Sequence, residues 1–208
     1  VTSTFNEDGK EAATAYIGGT GVSASLVGAG VSTAVATAAV TSIAKVSNAS
    51  MGEAGKAASL KVTSNGSSIA RADVCQPNVS LNLASLSVNV LIAKSTSTFT
   101  AEAGGGTMYL SELVITANPN SSATAYTGAS NGSVDANLVK LQTNLAFADN
   151  RTSVNAGIDG GEIHYSGTAA LSFTAGGTHT ASASVRSADA SLSGINVAAN
   201  VVSARMKG

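Results

Sequence analysis

The chain has 208 residues, 44% of them hydrophobic but only 4% aromatic, with no Trp and a single Cys. Charged residues make up 11% and the net charge is −1, against about 25% charged residues in an average domain. This balance excludes a basic face for nucleic acid or anionic lipid and, with one cysteine, an intrachain disulfide or a cysteine-based metal cluster.

The chain opens on "VTSTFNEDGKE", which has neither the basic start nor the apolar stretch of a signal peptide, so it reads as a mature product or a piece of something longer. Residues 12–44 then carry no charge, a length that would permit a bilayer crossing. Their composition argues otherwise: between Thr14 and Lys45, Leu26 is the only leucine, Phe and Trp are absent, and Ser and Thr recur. The later counterparts, "VSLNLASLSVNVLIAK" (79–94) and "VDANLVKLQTNLAFAD" (134–149), carry Asn, Gln, Lys and Asp, which a membrane helix accommodates only at a cost. No membrane span is expected.

Three strings line up further on: "SLKVTS" (59–64), "ELVITA" (112–117) and "ALSFTA" (170–175). They place Leu60, Leu113 and Leu171 in one column, with Val62, Ile115 and Phe173 two residues on and Thr63, Thr116 and Thr174 one further. A second column is Ala44, Ala93, Ala148 and Ala204, and "TAYIG" (14–18) and "TAYTG" (124–128) mark another shared point. Fixed-period self-similarity defines a repeat protein. The repeats fall at 1–51, 52–104, 105–160 and 161–208, about 53 residues each. "SLKV" at 59 and "SLSV" at 85 leave each repeat open to division into two coils of about 25 residues, the size of one turn of a parallel β-helix.

Within the strings, Leu60 and Val62 alternate with Lys61 and Thr63, and Leu86, Val88, Val90 and Ile92 alternate with Ser87, Asn89 and Leu91. Period two with β-branched residues reads as strand, the first set facing inward. "SNGSS" (64–68), "NPNSS" (118–122), "SNGS" (130–133) and "DGG" (159–161) read as turns. The expected fold is therefore all-β, a β-solenoid stabilised by stacking coil on coil.

Asn89, Asn144 and Asn200 each precede an anchor alanine by four residues, with Val40 in the first copy. In register they would stack as an amide ladder along the axis; as solvent-facing residues of an Asn-rich chain they would carry no such role. Glu162 and His164 share one face of a strand, but no third ligand stands at metal-binding spacing, and His179 is isolated. Cys75, in "ADVCQP", has no nearby base or helix start to activate it. The glycines of "NAGIDGGEIH" (155–164) suit a tight turn. Thr96, Thr98 and Thr100 share one face without a matching array in "DNRTSVNAG" (149–157) or "KVSNASMG" (45–52). Six glycosylation sequons begin at Asn48, Asn65, Asn78, Asn120, Asn131 and Asn150, as expected by accident in so Asn/Ser/Thr-rich a chain. No catalytic residue, metal or cofactor is expected.

In "TAYIGG" and "TAYTGA", in the "SLKVTS" and "ALSFTA" openings and in the Ala/Val/Asn-rich strand that closes each repeat, the chain resembles very large bacterial filamentous adhesins. The likeness is to the leukotoxin-related filamentous adhesins and their haemagglutinin-like β-helical relatives. That resemblance covers essentially the whole chain and implies a secreted or cell-surface β-solenoid stalk without catalytic residues; at 208 residues the chain departs from the family's great length. The implied function is a structural and adhesive segment, extracellular or at the cell surface. The alternative is an ice- or glycan-binding solenoid, for which exposure of Tyr16, Tyr109, Tyr126 and Tyr165 would be informative. An enzyme would need carboxylates clustered in a groove, whereas the 12 acidic residues are scattered. Expected partners are neighbouring copies stacked end to end, or the rest of a longer solenoid, with Val1 aligning on Val62.

Overall fold

The computed structural model describes residues 1–18, 21–75, 78–127, 133–165, 171–186 and 189–208. The described residues form strands and turns: β1 (Thr2–Phe5), β2 (Ala13–Gly18), β3 (Gly21–Ser47), β4 (Ala58–Cys75), β5 (Asn78–Gly104), β6 (Thr107–Thr127), β7 (Ser133–Ile158), β8 (Glu162–Tyr165), β9 (Leu171–Ala175), β10 (Thr178–Val185) and β11 (Asp189–Lys207). One sheet orders β1-β4-β6-β10, with β2 on β4 and with β8 and β9 on β6; the other orders β3-β5-β7-β11. All named strand pairs are parallel. The fold is a parallel β-solenoid.

Register identifies the coil. Leu60 pairs with Leu113 and Leu113 with Leu171, while Ala93 pairs with Ala148 and Ala148 with Ala204. Strand neighbours thus lie one whole repeat apart, so each repeat is one wide coil of two long strands. The division into coils of about 25 residues is wrong, because "SLKV" and "SLSV" lie on different sheets of a single coil. The Ala44 anchor is also wrong: Ala44 pairs with Ala101, and Ala36 occupies the column of Ala93.

Two of the expected turns prove to be strand. Asn65 pairs with Asn118 and Gly66 with Pro119, so "SNGSS" and "NPNSS" lie side by side in mid-sheet. Proline brings no N–H to the ladder, and a central strand tolerates it only where the backbone departs from regularity. Gly66 and Gly177 supply that departure on either side of Pro119. Their φ values are 143° and 144°, and a Cβ on either would collide with the carbonyl oxygen of Phe5 or Pro119. "DGG" is a turn, with Gly160 and Gly161 at positive φ, and "SNGS" falls largely outside the described residues.

The second sheet is folded over on itself. Along a continuous strand, side chains five residues apart are about 17 Å from each other and on opposite faces. Yet Lys140 Nζ lies 2.5 Å from Asp135 Oδ2, with both side chains buried. The chain must double back between them, and the ladder skips the intervening column of Leu26, Leu83, Leu138 and Gly194. A Cβ on Gly28 would stand 3.0 Å from Nδ2 of Asn82, the partner of Ser25, which places the same bend in the first coil. Each coil is therefore a two-layer arch. One layer is the first-sheet strand followed by a short arm, as in 58–75 and 78–82; the other is the returning arm, as in 84–104.

The interior is banded across the width of the arch. Farthest from the crest lie large apolar residues, with Met108, Leu110, Leu113 and Ile115 wholly buried. A hydroxyl seam follows. Beyond it, Ala70, Ala72, Ala93 and Ala148 interlock with Leu91 and Val74. Nearest the crest the interior is polar.

Candidate functional site

The distinctive chemistry of the described residues lies in columns that run along the solenoid axis. Asn89 Nδ2 donates to Asn144 Oδ1, and Asn144 Nδ2 donates to Asn200 Oδ1, each at 2.8 Å. Gln142 Nε2 adds a longer bond of 3.4 Å to Asn144 Oδ1. Parallel in-register pairing brings like amides within reach of one another and lets each donate to the next. In the first coil the residue beside Asn89 is Ser32, not Val40, a consequence of the eight-residue shift at Ala44.

The hydroxyl seam joins the two layers. Ser68 and Ser95 share a bond of 2.9 Å, and Ser121 meets Thr152 at 2.7 Å. Asn150 Nδ2 donates to the Ser121 and Thr180 carbonyl oxygens at 3.1 and 2.9 Å. Wholly buried, Asn150 cannot receive a glycan without unfolding this seam. Ser121 Oγ also meets His179 Nδ1 at 2.8 Å. Buried hydroxyls and amides are tolerated because they satisfy each other. The sequence reading missed these residues, although Ser95, Ser97, Phe99 and Ala101 share one strand parity and so one face.

Toward the crest, Asn82 Oδ1 accepts from Ser25 N and Oγ at 3.1 and 2.7 Å, and Ser80 Oγ donates to Asp135. Beside the buried Asp135–Lys140 pair, neither amide atom of the buried Asn137 has a hydrogen-bond partner. The outside of the arch is the reverse: Leu86 is 47% exposed, whereas Leu91 is 0% exposed. The inward assignment of Leu86, Val88, Val90 and Ile92 is thus overturned, because here the polar parity faces the interior.

The other candidates are dispersed. His164 Nε2 lies 3.1 Å from Glu162 Oε1, and its ring stacks on Tyr109 at 4.6 Å. Among the described residues, no three His, Cys, Asp or Glu side chains are grouped to hold a metal ion. Cys75 is buried. Tyr16 and Tyr126 share a column on either side of Asp73, and the Arg186 guanidinium lies 5.9 Å from the Tyr126 ring centroid. Tyr165 stands apart, beside Leu110. Thr96, Thr98 and Thr100 are flanked by Ala39, Thr41 and Ile43 on one side and by Arg151, Ser153 and Asn155 on the other. Only the middle column carries hydroxyls throughout. A shallow polar groove of about 360 Å³ crosses the first sheet between Glu7, Asn65, Asn118, Asn120 and Thr178.

Short ion pairs also gather near one turn. Lys45 Nζ donates to Asp159 at 2.9 Å and to Glu102 at 3.1 Å. These bonds, that to Asp159 first, raise the Lys45 pKa and hold Asp159 below the usual carboxylate range. Glu112 is lowered by the Ser59 hydroxyl and then by Lys61. Among the described residues, no helix is long and apolar enough to cross a membrane.

These features define a class, a parallel β-solenoid with self-matching polar columns. No family model, curated protein or solved structure matches the chain.

Proposed function

We propose that the chain is a non-catalytic structural segment of a secreted or cell-surface bacterial filament, like the filamentous adhesins it resembles, and that its terminal coils stack on further coils. The observation that carries this reading is the contrast between inner and terminal coils within one column. Leu113 and Ile115 are 0% exposed in the third coil, while their neighbours Leu171 and Phe173 in the fourth are 58% and 43% exposed. Each large apolar side chain fully covered contributes about 1.5–3 kcal/mol.

The columns would continue across such a junction. Ala13, Ala70, Ala123 and Ala181 form one column and Ala15, Ala72, Ala125 and Ala183 another. A second copy set on the fourth coil would bring Ala13 onto Ala181 in the same chemistry. The edge strands β3 and β11 also offer unpaired backbone groups, a template for strand addition. Repetition of one heterologous contact without closure yields a filament.

The test is light scattering with negative-stain microscopy over a concentration series. Elongated particles of one solenoid's width, growing with concentration, are expected. A monomer at all concentrations would overturn the stacking of copies.

A further inference from the structure

We propose that the arch crest is a lipid-binding wedge, inserted into the hydrocarbon of a phospholipid layer. A water-soluble solenoid places apolar residues inside and polar residues outside. Near its crest the arch does the opposite. Its interior holds Asn82, Asp135, Asn137 and Lys140. Its crest is Leu26, Leu83 and Leu138, which are 73%, 53% and 61% exposed. Flanking the crest, Leu81 is exposed on one outer face and Leu86 and Leu141 on the other. Apolar-out, polar-in alternation is the pattern of strands whose outer surface meets lipid.

Three observations select lipid over a protein partner. First, the apolar surface wraps the crest. A docked protein covers one face, whereas a liquid hydrocarbon covers both faces and the ridge between them.

Second, charge is kept from that surface. Among the described side chains within seven residues of the crest on either arm, Asp135 and Lys140 are the only charged ones, and they are buried against each other; Arg186 follows eight residues before Gly194.

Third, on the returning arm charge returns at one depth. Lys94, Asp149 and Arg205 form a single column, each 11 residues beyond the crest positions Leu83, Leu138 and Gly194. At about 3.3 Å per residue this depth is about 36 Å, comparable to the roughly 30 Å of a hydrocarbon core.

Lipid does not accept open strand edges, since unpaired backbone groups find no partner there. Insertion therefore rests on the stacking proposed above, in which neighbouring coils cover the edges of β3 and β11.

Flotation with phosphatidylcholine vesicles tests the wedge, with light scattering run in parallel without lipid. The vesicles are uncharged overall, so binding reports the apolar surface. The chain is expected to float. The variant Leu83→Asp/Leu138→Asp, altered only at exposed positions and checked by circular dichroism, should float at least about tenfold less, because acidic side chains are strongly disfavoured at hydrocarbon depth. Because the chain has no tryptophan, Leu138→Trp provides a clean probe; its emission should shift to the blue and be quenched by bromine-labelled acyl chains.

Assembly without flotation would overturn the wedge and leave stacking intact. Flotation of a chain that stays monomeric in water would support the wedge and overturn stacking in solution. Failure to float or assemble would overturn both. Equal flotation of the double aspartate variant, or unquenched emission from the Leu138→Trp variant, would place binding elsewhere and overturn the wedge.

Discussion

Asn144 occupies the middle of the amide ladder, and replacing it with alanine removes two bonds of 2.8 Å, one accepted from Asn89 and one donated to Asn200. Each neutral hydrogen bond contributes about 1 kcal/mol net, and an orphaned buried partner adds a penalty of about 1–3 kcal/mol. Asn144 is buried and Asn89 half-buried, while Asn200 lies on the terminal coil. The orphan penalty therefore falls mainly on Asn89, and Asn144→Ala should cost about 2–4 kcal/mol. Asn200→Ala deletes one bond on the terminal coil, where losing the side chain opens the Asn144 Nδ2 it leaves unpaired to solvent, and should cost about 1–2 kcal/mol. For a chain of this size each kcal/mol moves Tm by about 2–4 °C, so melts followed by circular dichroism separate the two variants. Replacing all three amides with leucine leaves only the half-buried Gln142 without its longer bond and should cost less than Asn144→Ala alone, the asymmetry expected of paired polar groups. If Asn144→Ala and Asn200→Ala melt within about 2 °C of each other, or the triple variant is the least stable, the ladder does not contribute in this way.

Lys140→Met should destabilise by about 3–5 kcal/mol by leaving Asp135 buried and uncompensated, and Asp135→Asn/Lys140→Met should recover much of that loss in urea unfolding. Gly66→Ala forces a side chain onto a φ of 143° against the Phe5 carbonyl and should cost about 1–3 kcal/mol, read as a lowered unfolding midpoint. The Lys45–Asp159 pair should add stability that is flat at neutral pH. The depressed Asp159 pKa gives a contribution present above its ordinary 3.8 and lost as pH falls through the folded value. The raised Lys45 pKa gives one present below its ordinary 10.5 and lost as pH rises through the folded value. A Lys45→Met variant whose stability keeps the wild-type pH profile at both limbs would contradict this.

The Leu60, Leu113 and Leu171 column was legible because large residues are scarce, so a recurring leucine within a matching string fixes the register. Ala44 was misplaced for the opposite reason. Ala34, Ala36, Ala38 and Ala44 share one strand parity in β3, and a slip of eight residues keeps every side chain on its face. Nothing in the alternation distinguishes the two registers; the inter-strand ladder does. The arch was illegible for a deeper reason. Reading apolar as inward holds while water is the outer medium, and it fails over 78–92 because the polar parity is the enclosed one. A signal was present in Asp135 and Lys140, opposite charges five residues apart around an exposed leucine, which a straight strand cannot bring together.

The interior changes across the coil but hardly along the axis, and this division explains how so small-sided a core specifies one structure. Alanine beside alanine gains little on burial and would slide. The hydroxyl seam and the amide ladder would not, because a shift of one residue turns Asn144 to the other face and strands Asn89. Apolar columns thus supply most of the burial, while the polar columns, through Ser68 with Ser95 and Asn89 with Asn144, supply register. A column that matches itself has no natural last member: Ala183 would accept another alanine, and Asn200 Nδ2 another amide, with the chemistry already used inside. The proposed extension by further coils would use the same pairing that holds each coil in place.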